Sequence, residues 1–149
     1  MNIVIKNFQQ RMPIRAARIK EIVRLVLREE KAESQGEITF CFVNACAIRE
    51  INLNYLGRNL ATDVIAFNLG PAEAPRANFI TADILISTDA ACSNSRIFKT
   101  SPRQELFLYI IHGLLHIVGY NDENKNDRAL MQQRQERLLF KCLSKKAKR

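Results

Sequence analysis

Between Leu106 and Val118 every residue except Gly113 and two histidines is apolar or tyrosine. A helix that is apolar all round has no face to offer water, so other elements must bury it. The flanking residues mark the run as a helix. Ser101 can accept from the first free amides, Pro102 suits the first helical position, and Gln104 completes a capping box. Gly119 supplies the left-handed residue that ends a helix cheaply. No stretch of the chain reaches the ~18 apolar residues that span a membrane. The chain must therefore build a core around this segment.

The rest of the sequence supplies the layers. Asn2 to Lys6 predicts a short strand, and Pro13 to about Glu30 an amphipathic helix with Ile19, Ile22, Val23, Val26 and Leu27 on one face. Gly36 to Val43 predicts a second strand, and Asn44 caps a helix to about Tyr55. Asp63 to Phe67 and Ala82 to Ser87 predict two more strands, separated by an exposed loop from Gly70 to Asn78 that contains Pro71 and Pro75. A helix from about Thr88 precedes the apolar one, and a last helix runs from about Asn126 to Leu143. Strands interleaved with helices predict an α/β (α+β) fold: a small mixed four-stranded sheet with packed helices. The 149 residues contain no repeat and no dividing linker, so residues 1–149 are expected to form one domain.

The two exceptions in the apolar run carry the chemistry. His112 and His116 are the only histidines of the chain. On a helix, positions i and i+4 lie one above the other, so two imidazoles placed this way can grip one metal ion. The turn at Gly119 lets Asp122 fold back as a third ligand. Two imidazoles and one carboxylate suit zinc and also other divalent metals. The competing reading makes Asn121-Asp122-Glu123-Asn124 an ordinary polar turn that holds no metal. Glu105 lies on the same stripe but roughly 10 Å before His112, too far for the same metal, and is expected at the surface or behind the ligands. Asp63 and Asp83 sit at expected strand starts, where turn-capping is at least as good an account as catalysis.

Charge and cysteine use narrow the partners. The formal net charge is +8, which favours an anionic partner, with nucleic acid foremost. Part of the excess sits in the tail Lys145-Lys146-Ala147-Lys148-Arg149. Tryptophan is absent, so contacts with RNA are expected to be led by phosphate. The four cysteines form no C-x-x-C pair and are read as reduced packing residues of a cytoplasmic protein. The N-terminus lacks the pattern of a signal peptide.

Three blocks resemble the YbeY family of bacterial metal-dependent endoribonucleases that mature ribosomal RNA. The run His112-Gly113-Leu114-Leu115-His116-Ile117-Val118-Gly119-Tyr120-Asn121-Asp122 is similar to the family's H-G-x-L-H-L-x-G-Y-D-H. Leu53 to Arg58 with Thr62 to Phe67, and Ala82 to Ser87, resemble its other two blocks in order and spacing. The resemblance implies the family's mixed sheet with helices, a zinc ion on three histidines, and ribosomal RNA or a ribosomal subunit as partner; the lack of a long apolar stretch predicts no membrane partner. The family's third histidine falls on Asp122, its aspartate on Asn121, its serine on Ala66, and its arginine before glycine on Leu56. Arg58, just after Gly57, is the nearest replacement for that arginine and could hold a phosphate in a fork-like contact. By charge addition, Asp122 leaves a divalent ion about +1 rather than +2, so it polarises water and phosphate less.

Two rival classes stand beside the nuclease. A helical zinc peptidase needs a general-base glutamate after the first histidine, and Gly113 occupies that position. A ribosome- or RNA-binding module that keeps the fold but not catalysis would account for Leu56 and Asp122.

Overall fold

The structure, a computed structural model, describes residues 1–70 and 79–146, without the side chains of 145 and 146. Of the expected 70–78 loop, residues 71–78 lie outside the described residues, as do the side chains of the basic tail. In chain order the elements are β1 (Asn2–Asn7), α1 (Ala16–Glu29), β2 (Gln35–Val43), α2 (Ala45–Leu56), β3 (Val64–Asn68), β4 (Phe79–Ser87), α3 (Thr88–Phe98), α4 (Pro102–Ile117) and α5 (Lys125–Lys146).

The strands form one sheet in the order β1-β2-β4-β3. β1, β2 and β4 are parallel, and β3 runs antiparallel along the β4 edge. Parallel neighbours need a crossover, and α1 supplies the one between β1 and β2. Alternation along the strands then sorts side chains between two faces. Ile38, Phe40 and Phe42 of β2 join Ala82, Ile84 and Ile86 of β4 in the main core with α1, α4 and α5. Val43, Ile65 and Leu85 turn the other way and pack with Ile48 of α2.

Helix α4 occupies the centre of the main core. Ile110, Ile111, Leu114 and Leu115 have no exposed surface. The Ser101 hydroxyl accepts from the Gln104 amide at 3.1 Å, and Pro102 opens the helix. Gly119 has φ +112, and the chain leaves the helix there as the sequence predicts. Gly113 lets the helix approach the sheet: a Cβ at this position would stand 2.8 Å from Ile84 Cγ2. The neighbour that would have to move is β-branched and fully buried.

Two expectations about the helices need correction. Helix α1 starts at Ala16, not Pro13. The Gln9 side chain latches the preceding turn: its Oε1 accepts from the amides of Arg11 and Met12, and its Nε2 donates to the Met12 carbonyl. Three hydrogen bonds from a 9 % exposed side chain hold this stretch off the helical path. Glu105 is not at the surface. It is 4 % exposed and accepts from the Thr100 hydroxyl at 2.9 Å, which places it in the packing of the helix start.

Asp89 joins three segments. Its carboxylate accepts from the Ala45 amide at the head of α2 at 2.7 Å, and from Arg11 at 2.8 Å. The Ala45 amide, then Arg11, hold its pKa below the usual carboxylate value. A lowered folded pKa means stability that is present above the unfolded pKa and lost as pH falls through the folded one. Asp89→Asn should therefore be less stable than the parent at neutral pH. That gap should close as pH drops below the ordinary carboxylate range, measured by urea unfolding at several pH values.

Candidate metal centre

The last turn of α4 and the turn after it bring three donor atoms together. His112 Nε2 and His116 Nε2 are 3.1 Å apart. Asp122 Oδ2 lies 3.5 Å from His116 Nε2 and 3.9 Å from His112 Nε2. All three atoms fall within 4.8 Å of one another. Ligands at ~2.0–2.1 Å in a tetrahedron stand about 3.3 Å apart, so the edges of this triangle bracket the spacing that zinc requires.

The other ring nitrogens are already taken. His116 Nδ1 meets the Tyr120 carbonyl at 3.2 Å, and His112 Nδ1 meets Gln135 Oε1 at 2.8 Å. A carbonyl oxygen only accepts, so these contacts engage each Nδ1 as a donor and leave each Nε2 facing the other two donor groups. Two imidazole nitrogens 3.1 Å apart, with a carboxylate oxygen beside them, present three donor atoms to one point. This donor set fits a divalent ion, and His112, His116 and Asp122 are the residues that would hold it.

Behind the three donor groups a network fixes the turn. The Tyr120 hydroxyl donates to Glu30 at 2.6 Å, and Arg134 of α5 pairs with the same carboxylate. The bond to Glu30 raises the Tyr120 pKa, so the hydroxyl remains a donor. Arg128 donates to the carbonyls of Asp122 and Glu123 at 3.4 and 3.2 Å. Helix α5 thus clamps both ends of the segment that carries Asp122.

The donor atoms open on a cavity of about 510 Å³ lined by His112, His116, Asp122, Arg58, Leu56 and Asp63, among others. Gly57, with φ +71, ends α2 and turns the chain so that Arg58 follows in a loop. Buried Asn52 donates to the Leu60 carbonyl at 2.9 Å and pins that loop. Arg58 therefore lines the same cavity as His112, His116 and Asp122. Asp63 also reaches the lining, but its Oδ1 accepts from the Val64 amide at 2.8 Å, the turn-capping role. Asp83 does not line the cavity and lies within β4, since that strand starts earlier than expected, at Phe79.

Gln135, Arg128 and Asn52 were not foreseen. The α5 residues Arg128, Met131, Gln132 and Gln135 line a common pocket with His112 and Asp122. Their spacing of three, one and three is a single helical face, the one signal that points to them. Gln135→Leu should weaken zinc binding ~10–100-fold, the usual cost of losing a partner behind a metal ligand. Competition with a chromophoric chelator measures this, and an unchanged affinity would show that Gln135 does not orient His112.

A central helix that presents two histidines to a cleft beside a mixed sheet, with a carboxylate brought back by the turn after it, defines a small α/β protein with a metal-type site. The family model for Endoribonuclease YbeY matches residues 4–142, and the chain belongs to that family. It is 40% identical over 143 residues to the Endoribonuclease YbeY of Syntrophus aciditrophicus, covering 94% of this chain and 89% of that protein. The protein of the same name from Chloroherpeton thalassium is 32% identical over 140 residues, covering 93% and 94%. A solution structure from Thermotoga maritima shares the fold, with a TM-score of 0.62 at 21% identity, over 98% of this chain and 92% of that one.

Proposed function

We infer that this chain is a metal-dependent endoribonuclease that cleaves ribosomal RNA, at the 3′ end of the 16S molecule, during ribosome maturation in the cytoplasm. Membership of the YbeY family makes it an endoribonuclease, a hydrolase of RNA phosphodiester bonds. The observation that carries the metal dependence is the convergence of His112, His116 and Asp122 on one point of a cavity that Arg58 also lines. The net charge of +8 supports a polyanionic substrate. Among the described residues no helix is long and apolar enough to cross a membrane.

The roles follow from the chemistry of the side chains. His112, His116 and Asp122 hold the ion, zinc first and another divalent metal second. When bound, such an ion acidifies water and offsets negative charge on phosphate. Arg58 holds the scissile phosphate with its planar fork and keeps it against the triad. Gly113 leaves the place of a peptidase's general base empty, which weighs against peptide hydrolysis. Leu56 stands where the family has arginine, and it favours the second reading, a module that binds RNA with weakened catalysis.

Cleavage of structured ribosomal RNA tests the first reading against the second. The parent should cut, a chelator should stop it, and zinc should restore it. Arg58→Ala should slow cleavage about tenfold or more, below the ~10²–10³ of a buried donor because Arg58 is exposed. Tight RNA binding without cutting at any metal concentration would establish the binding module instead.

A further inference from the structure

A second cleft lies near the opposite end of α4 and shares no lining residue with the cavity of His112, His116 and Asp122. It encloses about 350 Å³ between the segment before α1, the first turns of α1, and the start of α4. That volume is within the range of small-ligand sites. Its floor is apolar, built from Met12, Ile19, Leu106 and Phe107, and its rim holds Arg11, Arg15, Arg18 and Arg103. No carboxylate lines it.

The four guanidinium groups are not equally engaged. Arg11 pairs with Asp89. Arg18 bonds Glu21 and the Cys142 carbonyl, and its buried Nε finds no acceptor. Arg15 and Arg103 have no carboxylate partner among the described residues. Arg18 and Arg103 each stand 5.2 Å from the centre of the Phe107 ring. The ring is only 4 % exposed, so the face left for a ligand is guanidinium above an apolar floor.

Charge alone would serve any anion. Flat cationic groups beside an apolar floor serve an anion with a planar, weakly polar body, and a nucleotide has both parts. We propose that this cleft binds a nucleotide of the RNA strand outside the cleavage site. Its base rests on the floor against Arg18 and Arg103, and its phosphate lies toward Arg15. Arg103 is nine residues before His112, half a turn round α4 and roughly 14 Å along its axis. The cleft therefore holds a part of the substrate remote from the metal triad. The proposal rests on the RNA reading but not on cleavage.

The test is fluorescence anisotropy of the full chain with a long single-stranded RNA across a salt series. A short RNA that fills only the metal-side cavity serves as control. Arg15→Gln/Arg103→Gln should bind the long RNA on the order of tenfold more weakly. Its log–log salt slope should shrink by about 0.7, the share of the one single-strand phosphate contact at Arg15. Short-RNA binding should match the parent. Arg103→Lys keeps the charge and loses the flat group, so it should keep the salt slope and lose part of the affinity. Cleavage of the long RNA by the double variant should show a raised KM with kcat unchanged. Long-RNA affinity and slope equal to the parent's overturn the cleft while leaving the nuclease reading intact. If the parent binds RNA but never cuts it, and the double variant still loses long-RNA affinity, the nuclease reading falls and the cleft stands.

Discussion

Asp122→Ala should lose zinc and RNA cleavage together. Removing one of the three proposed ligands leaves His112 and His116 alone, and their Nε2 atoms then face each other at 3.1 Å without a carboxylate to complete the site. We expect zinc affinity to fall by more than ~10², beyond the loss from a supporting residue. Cleavage should fall to background at micromolar zinc. Asp122→His should behave differently, because it restores the three-imidazole set and raises the site from about +1 to +2 by charge addition. It should retain metal and cleave at least as well as the parent, with the largest gain below neutral pH, where a more acidifying site matters most. Rate against pH for the three proteins at saturating zinc is the measurement. Cleavage by Asp122→Ala at the parental rate would remove Asp122 from the ligand set. If all three are inactive, Leu56 is the next position to restore to arginine, since it also lines the cavity.

Gly113→Glu should be the most destabilising single change near the site. The first added carbon would stand 2.8 Å from Ile84 Cγ2 and 3.4 Å from Val64 Cγ2. The remaining atoms would carry a charge into a fully buried helix–sheet contact with no partner. A loss of about 3–5 kcal/mol follows from an uncompensated buried charge alone, or a drop in Tm of roughly 6–20 °C at ~2–4 °C per kcal/mol. Gly113→Ala separates packing from charge. Overpacking costs ~1–3 kcal/mol, and the better helix propensity of alanine returns ~1 kcal/mol. The alanine variant should thus sit between parity and about 2 kcal/mol less stable. Urea unfolding of both variants decides the point. A glutamate variant as stable as the parent would mean that α4 does not pack against β4 this closely. The same steric argument explains why this helix cannot acquire a peptidase's general base by one substitution.

What was legible in the sequence was local. The α4 start at Ser101 and Pro102, its end at Gly119, and the return of Asp122 toward the histidines all rest on residues within a few positions of one another. The Asn44 cap of α2 was legible for the same reason, and its side chain accepts from Ala47 at 2.8 Å. The rest depends on contacts between distant parts of the chain. Gln135 reaches His112 across 23 positions, and only the packing of α5 on α4 brings them together. Pro13 has the form of a helix start, but the Gln9 side chain overrides it. Glu105 is a carboxyl residue and yet buried, with the Thr100 hydroxyl bonded to it within the packed helix start. The arginine cleft draws its rim from residues 11–18 and from Arg103, so no sequence window contains it.

Crystals grown with zinc and measured at its absorption edge test the central claim most directly. The account predicts one anomalous peak per chain, at about 2.0–2.2 Å from the Nε2 atoms of His112 and His116 and from one oxygen of Asp122. No peak between the two imidazoles, with the Asp122 carboxylate turned to solvent, would contradict it.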